Sequence, residues 1–140
     1  FFIMFYIIIM TDKPTLSRAF NTHFLEFLED ILRIYPDSAE ISKAKVSFET
    51  IKRANPTLVI KAWYKNVYTT YQSVIDSGDI SFFVDKDYSQ DLNSVNNAGD
   101  IIKMIENIRG PIRNMDESNK DHCMKYIQNL SKISTVYNSM

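Results

Sequence analysis

The sequence predicts an all-α domain, a single compact bundle of five or six helices with mostly antiparallel neighbours. Three observations carry this. Apolar residues recur at steps of three and four along five separate stretches, the signature of one helical face. Capping residues bracket those stretches. The chain holds only 3 Gly and 4 Pro, so turns are few and elements are long, against a sandwich of many short strands.

The first stretch runs through Leu16, Phe20, Phe24, Phe27, Leu28 and Ile31. Pro36 stops it near Tyr35, because proline lacks an N–H and crowds the residue before it. Asp37-Ser38-Ala39-Glu40 then reads as a capping box, with Asp37 as N-cap and Glu40 at the third helical position. Ile41, Ala44, Phe48 and Ile51 are the inner face of this second helix. Asn55-Pro56 ends it and opens the third, with Asn55 as N-cap and Pro56 in the first turn. Val59, Ile60, Trp63, Val67, Tyr71 and Val74 or Ile75 form a wide aromatic stripe, as a central helix requires. Gly78 is its C-cap.

Residues 79–97 are the least regular. Ile80, Phe82, Phe83, Val84 and Tyr88 sit among aspartates. The reading is a short helix capped by Asp79, with a short extended piece as the alternative. Asp91 to Asn97 reads as an exposed loop. A fourth long helix carries Ile101, Ile102, Met104, Ile105 and Ile108, and Gly110-Pro111 ends it. The last helix starts around Asp116–Ser118 and runs nearly to Met140. Cys123, Tyr126, Ile127, Leu130, Ile133 and Tyr137 form its inner face.

A chain of 140 residues is one domain's worth and can bury a core without staples. Residues 10–140 are assigned to that domain. Phe1–Ile9 is an uncharged apolar run, too short to span a bilayer and without the basic flank or cleavage site of a signal peptide. Nearly half the chain is Phe, Tyr, Met, Ile, Asn or Lys, the residues of AT-rich codons. Met10 is therefore read as the natural start and 1–9 as a non-native or disordered extension. A membrane-touching or strand-like tail is the rival. The lone Cys123 excludes an internal disulfide and points to a reducing compartment.

The formal net charge is -1, so total charge gives no help toward nucleic acid. Its distribution is uneven. Lys43, Lys45, Lys52, Arg53, Lys61 and Lys65 stand against Glu49 alone in 41–70. Asp76, Asp79, Asp85, Asp87, Asp91 and Asp100 stand against Lys86 alone in 76–100. Two solvated faces that neutralise each other are the plain reading of such a pattern. Two functional readings compete with it. The segment after Gly78 joins aromatic and acidic residues, Asp79, Phe82, Phe83, Asp85, Asp87 and Tyr88, the composition of a protein-interface anchor. Lys52, Arg53, Lys61, Tyr64 and Lys65 combine cations with an aromatic, as nucleic-acid surfaces do, although the third helix is too apolar to lie in a duplex groove.

Catalytic and metal chemistry find little. Asp85, Asp87 and Asp91 fall at calcium-loop positions, but Gln90 stands where such a loop needs glycine and Asn96 where it needs glutamate. His23 and Glu26 are one turn apart, yet the other histidine, His122, has Lys125 at that spacing. Both read as ordinary surface residues. Cys123 adjoins His122, but helix neighbours point about 100° apart and Cys123 falls on the apolar stripe. It reads as a buried, inert thiol. No nucleophile elbow or phosphate-cradling glycine loop is present. The expectation is a non-enzymatic protein with no cofactor, no metal, no membrane span and no small-molecule substrate.

Three stretches share a further pattern: Asn55-Pro56-Thr57-Leu58-Val59-Ile60-Lys61-Ala62-Trp63, Gly78-Asp79-Ile80-Ser81-Phe82-Phe83-Val84-Asp85-Lys86-Asp87-Tyr88-Ser89, and Met124-Lys125-Tyr126-Ile127-Gln128-Asn129-Leu130-Ser131-Lys132. Over about residues 18–137 the chain resembles a family of short uncharacterised proteins of nucleocytoplasmic large DNA viruses of algae and other protists. The resemblance implies a setting and no activity. The setting is the cytoplasm or viral replication compartment of an infected cell, or the virion. It implies no functional residue, but marks Asp79–Ser89 as a place to look for one.

Overall fold

The computed structural model describes residues 12–80 and 98–140. Among these there are five helices and no strand: α1 (Lys13–Ile34), α2 (Ala39–Ala54), α3, α4 (Ala98–Arg113) and α5 (Glu117–Ser139). Helix α3 is composite. It is α-helical over Leu58–Ala62, π-helical over Trp63–Tyr68 and α-helical again over Thr69–Ser77. The fold is the all-α bundle that the periodicity predicts.

Helix α1 starts where Asp12 accepts a hydrogen bond from the Thr15 amide at 2.8 Å, satisfying one of the orphan donors of the first turn. The expected stripe of Leu16, Phe20, Phe24, Phe27, Leu28 and Ile31 is buried, together with Ser17 and Asn21. Tyr35 closes the helix.

The second helix begins one residue later than the capping-box reading has it. The Ser38 amide donates to the Tyr35 carbonyl at 3.1 Å, making Pro36 and Asp37 the centre of a tight turn, where proline is favoured at the first central position. Asp37 is consumed by that turn. Ser38 is the N-cap instead, accepting from the Ile41 amide at 3.2 Å.

The start of α3 is likewise corrected. Ser17 Oγ and Asn21 Nδ2 both donate to the Pro56 carbonyl, at 3.1 and 2.9 Å. That carbonyl is captured by α1 and does not join the helix ladder. Asn55 caps a local turn, its Oδ1 accepting from the Thr57 amide and hydroxyl at 3.2 Å each. The Thr57 carbonyl, not that of Pro56, accepts from Lys61 N at 3.2 Å. These two side chains of α1 fix where the α2–α3 corner sits. At the other end Gly78 caps α3 with φ 82, a left-handed geometry that costs any residue with a Cβ.

Gly110-Pro111 does not end α4, contrary to expectation. The helix continues to Arg113 with Pro111 inside it. Ile108, Ile112 and Met115 keep the apolar face going into the core, and Ile112 is fully buried. Burying one such side chain is worth about 1.5–3 kcal/mol, of the order of the helix penalty of proline. Gly110 eases the fit twice. It has no Cβ to meet the ring of the next residue, and a Cβ there would fall 2.7 Å from a Glu40 carboxylate oxygen across the α2–α4 seam. Met104 and Ile108 are buried as expected, while Ile101, Ile102 and Ile105 lie outside the described side chains.

The core is centred on Phe24. Its ring lies 6.1 Å from Phe20, 6.4 Å from Phe27, 4.7 Å from Phe48 and 6.2 Å from Trp63. One residue thus joins α1 to α2 and to the π-helical part of α3. Trp63 reaches α5, where its Nε1–H donates to Ser131 Oγ at 2.9 Å. Helix α5 covers α1 and α3, and α4 packs along α2. Among the described residues no helix is long and apolar enough to cross a membrane.

Candidate functional site

The basic residues of α2 and α3 are distributed by the helix periods. Lys52 and Arg53 lie in the last turn of α2, where cations also favour the helix dipole. Lys61 closes the first α-helical part of α3, and Lys65 follows within the π-helical part. Arg53, Lys61 and Lys65 are exposed, while Lys52 is half-buried, its ammonium 6.0 Å over the Phe48 ring. Lys45 leaves the set, because it pairs with Glu29 of α1 at 3.5 Å. Among the described residues Lys43, Lys52, Arg53, Lys61 and Lys65 form no ion pair.

Tyr64 shares this surface with Tyr68. The two half-buried rings are 6.3 Å apart and tilted by 39°. Tyr68 is fixed from behind, its hydroxyl within 3.3 Å of both Asp76 carboxylate oxygens. Burial, with the Asp76 charge second, pushes the Tyr68 phenol above its ordinary range, so it stays a neutral donor. The opposite side of α3 is inaccessible: Val59, Ile60, Ala62, Trp63, Asn66 and Val67 are buried. A π-helical stretch is uncommon and recurs at functional sites. Here it spans the exposed Lys65 and both tyrosines. A cleft of about 410 Å³ adjoins it, lined by Tyr68, Asp76, Gln128, Ser131 and Lys132.

The acidic–aromatic segment is represented by Asp79 alone, exposed and directly after the Gly78 cap. Ile80, helical and buried, follows it. Phe82, Phe83, Asp85, Asp87 and Tyr88 lie outside the described residues, as do the calcium-type loop and the stretch 91–97.

One arrangement was not legible in the sequence. The two histidines, read as unrelated surface residues, converge on Tyr126. The His23 ring lies 4.7 Å from it and the His122 ring 5.4 Å, edge-on. Tyr126 donates to Asp30, which also pairs with Arg33 and has His122 Nε2 at 3.4 Å. His23 Nδ1 faces Glu26 at 3.7 Å, while its Nε2 is buried with no hydrogen-bond partner among the described residues. Burial holds His23 below the ordinary histidine range, against the raising effect of Glu26. The only sequence signal is the spacing His23–Phe27–Asp30 on α1 and His122–Tyr126 on α5. It becomes a cluster only once the first and last helices are known to pack together.

The cluster is a clamp more than a reaction centre. Asp30 has its oxygens committed to three partners, so it is not a free base. A cleft beside His122, lined by Ser118, Asn119, Asp121 and Lys125, is open and about 510 Å³. A third, of about 460 Å³, lies between the α1–α2 turn and the end of α4. None of the three clefts includes the thiol. Cys123 is 2% exposed, its Sγ 3.6 Å from Met115 Sδ, and burial pushes it up to about 12. Among the described residues no three His, Cys, Asp or Glu side chains are placed to hold a metal ion.

No protein-family model, curated protein or solved structure matches this chain. The geometry of its own residues is what bears on function.

Proposed function

We propose that this chain is a non-enzymatic interaction protein that engages an acidic partner through the basic and aromatic surface at the end of α2 and the first half of α3. One observation carries the reading. Arg53, Lys61 and Lys65 stand exposed and unpaired among the described residues, beside two ordered tyrosines. The nearby acids do not neutralise these cations: Asp76 accepts from the Tyr68 hydroxyl, and Glu49, one turn before Arg53, forms no ion pair with them among the described residues. The large-DNA-virus resemblance supports a setting in the cytoplasm or replication compartment of an infected cell.

The test is binding to polyanions. The protein should be retained by polyphosphate and polyglutamate at low salt and released as salt rises. The double variant Lys61→Glu/Lys65→Glu should lose retention while keeping its circular dichroism. Equal retention of that variant would reject the surface, and absence of retention by the wild type would reject the reading.

A further inference from the structure

Resting on that reading, we infer that the acidic partner is a single-stranded nucleic acid, held by Tyr64 and Tyr68 as a stacking platform between the phosphate-binding cations Lys61 and Lys65. A patch selected for charge alone has no use for two aromatics within 6.3 Å of each other on its exposed side. Half-buried tyrosines offer a flat face with little conformational freedom left to lose, and every base has a π-face to lay against it. The bonds from the Tyr68 hydroxyl to Asp76, 3.3 Å to each oxygen, set that ring in place before any ligand arrives. They also hold the acid on the hydroxyl side of the ring. Lys61 and Lys65 are four residues apart and exposed, on the same side of α3 as the half-buried Tyr64 and Tyr68.

The rest of α3 decides between single strand and duplex. Its opposite face is buried against α1 and α5 through Ile60, Trp63 and Val67. A ligand therefore meets only the side that carries the two rings, and a base must lie face-on to stack there. Paired bases hide the faces that a stacking platform needs. Two polar side chains of the adjoining cleft are already engaged within the bundle. Gln128 already donates to the Ile75 carbonyl at 2.9 Å. Ser131 accepts from Trp63 at 2.9 Å and donates to the Ile127 carbonyl at 2.8 Å. Stacking on the two rings does not distinguish one base from another, so binding should depend little on base sequence.

The experiment is fluorescence anisotropy at low salt with three probes: labelled oligo(dT), a duplex of the same length, and labelled polyglutamate. Oligo(dT) should bind tighter than the other two. Tyr64→Leu should weaken oligo(dT) binding about tenfold, the scale of one base–aromatic stack, and leave polyglutamate unchanged. Tyr64→Phe, which keeps the ring, should restore oligo(dT) binding and so separates lost stacking from a damaged fold. Lys61→Gln/Lys65→Gln should weaken both ligands and lower the oligonucleotide salt slope by roughly 0.7 per lysine. Tighter binding of the duplex or of polyglutamate, or an unchanged affinity of Tyr64→Leu for oligo(dT), would overturn the inference while leaving the acidic-partner reading standing. Failure to bind any of the three would overturn both.

Discussion

Phe24→Ala is the substitution that should cost this fold most. The side chain is 1% exposed and meets four aromatic rings drawn from α1, α2 and the π-helical part of α3. Truncation removes its buried surface and leaves a cavity that flanking helices cannot fill, because each is pinned elsewhere. The α2–α3 corner is tied to α1 through the Pro56 carbonyl, and Trp63 is tied to Ser131 of α5. Phe→Ala in a core costs about 3–5 kcal/mol, with the upper end where the site cannot collapse. Domains of this size are stable by about 5–15 kcal/mol, so the variant should retain a fold but lose much of its margin. Urea unfolding followed by circular dichroism measures it. With a slope of about 1–3 kcal/mol per molar, the midpoint should fall by about 1–5 M with the slope unchanged. Phe24→Leu, which keeps most of the volume, should lose less than half as much. A loss under about 1 kcal/mol for Phe24→Ala would refute a core centred on this ring.

Three further outcomes follow from individual residues. Gly78→Ala should destabilise by about 1 kcal/mol, since φ 82 is left-handed while the added Cβ would meet only Gln128 Nε2 at 3.7 Å; thermal unfolding reads this, and no change in midpoint would contradict it. His23 titrates below its ordinary range in the folded protein because it is buried. The unfolded chain therefore takes up that proton first as pH falls. The His23 contribution to stability is intact above about pH 6.5 and falls away below it, until the folded protein also protonates. Urea midpoints at neutral and mildly acidic pH should differ less in His23→Gln than in the wild type; equal differences would exclude His23 as the group responsible. Cys123, with its thiol pushed up to about 12 by burial, should resist a thiol reagent in the native state and react fully in urea. Rapid native labelling would show that the inner face of α5 is not closed against Met115 and the core at this position.

The helices were legible because each buried stripe repeats at helical spacing for several turns. Phe20, Phe24, Phe27 and Ile31 carry α1 without help from context. The boundaries were not, because tertiary partners decide them. Ser17 and Asn21 of α1 move the start of α3 by capturing a carbonyl 35–39 residues away. A turn through Pro36 and Asp37 passes the α2 cap to Ser38. Ile112 outweighs the local stop signal of Gly110-Pro111 by the core it fills. The candidate site divides in the same way. Lys61, Tyr64 and Lys65 could be read as one surface because four-residue spacing on one helix needs no partner. That Lys45 is neutralised could not, since Glu29 lies on another helix. The histidine–tyrosine–aspartate clamp was hidden for the same reason: its halves come from α1 and α5, about a hundred residues apart in sequence.

The most direct test of the central claim is the affinity of the wild-type protein for oligo(dT) across a range of salt, set beside that of Lys61→Gln/Lys65→Gln. The expected result is measurable binding at low salt, a logarithmic slope that steepens with each phosphate neutralised, and a shallower slope with weaker binding in the double variant. Binding that is flat in salt, or identical in the two proteins, would contradict a working surface built on the first half of α3.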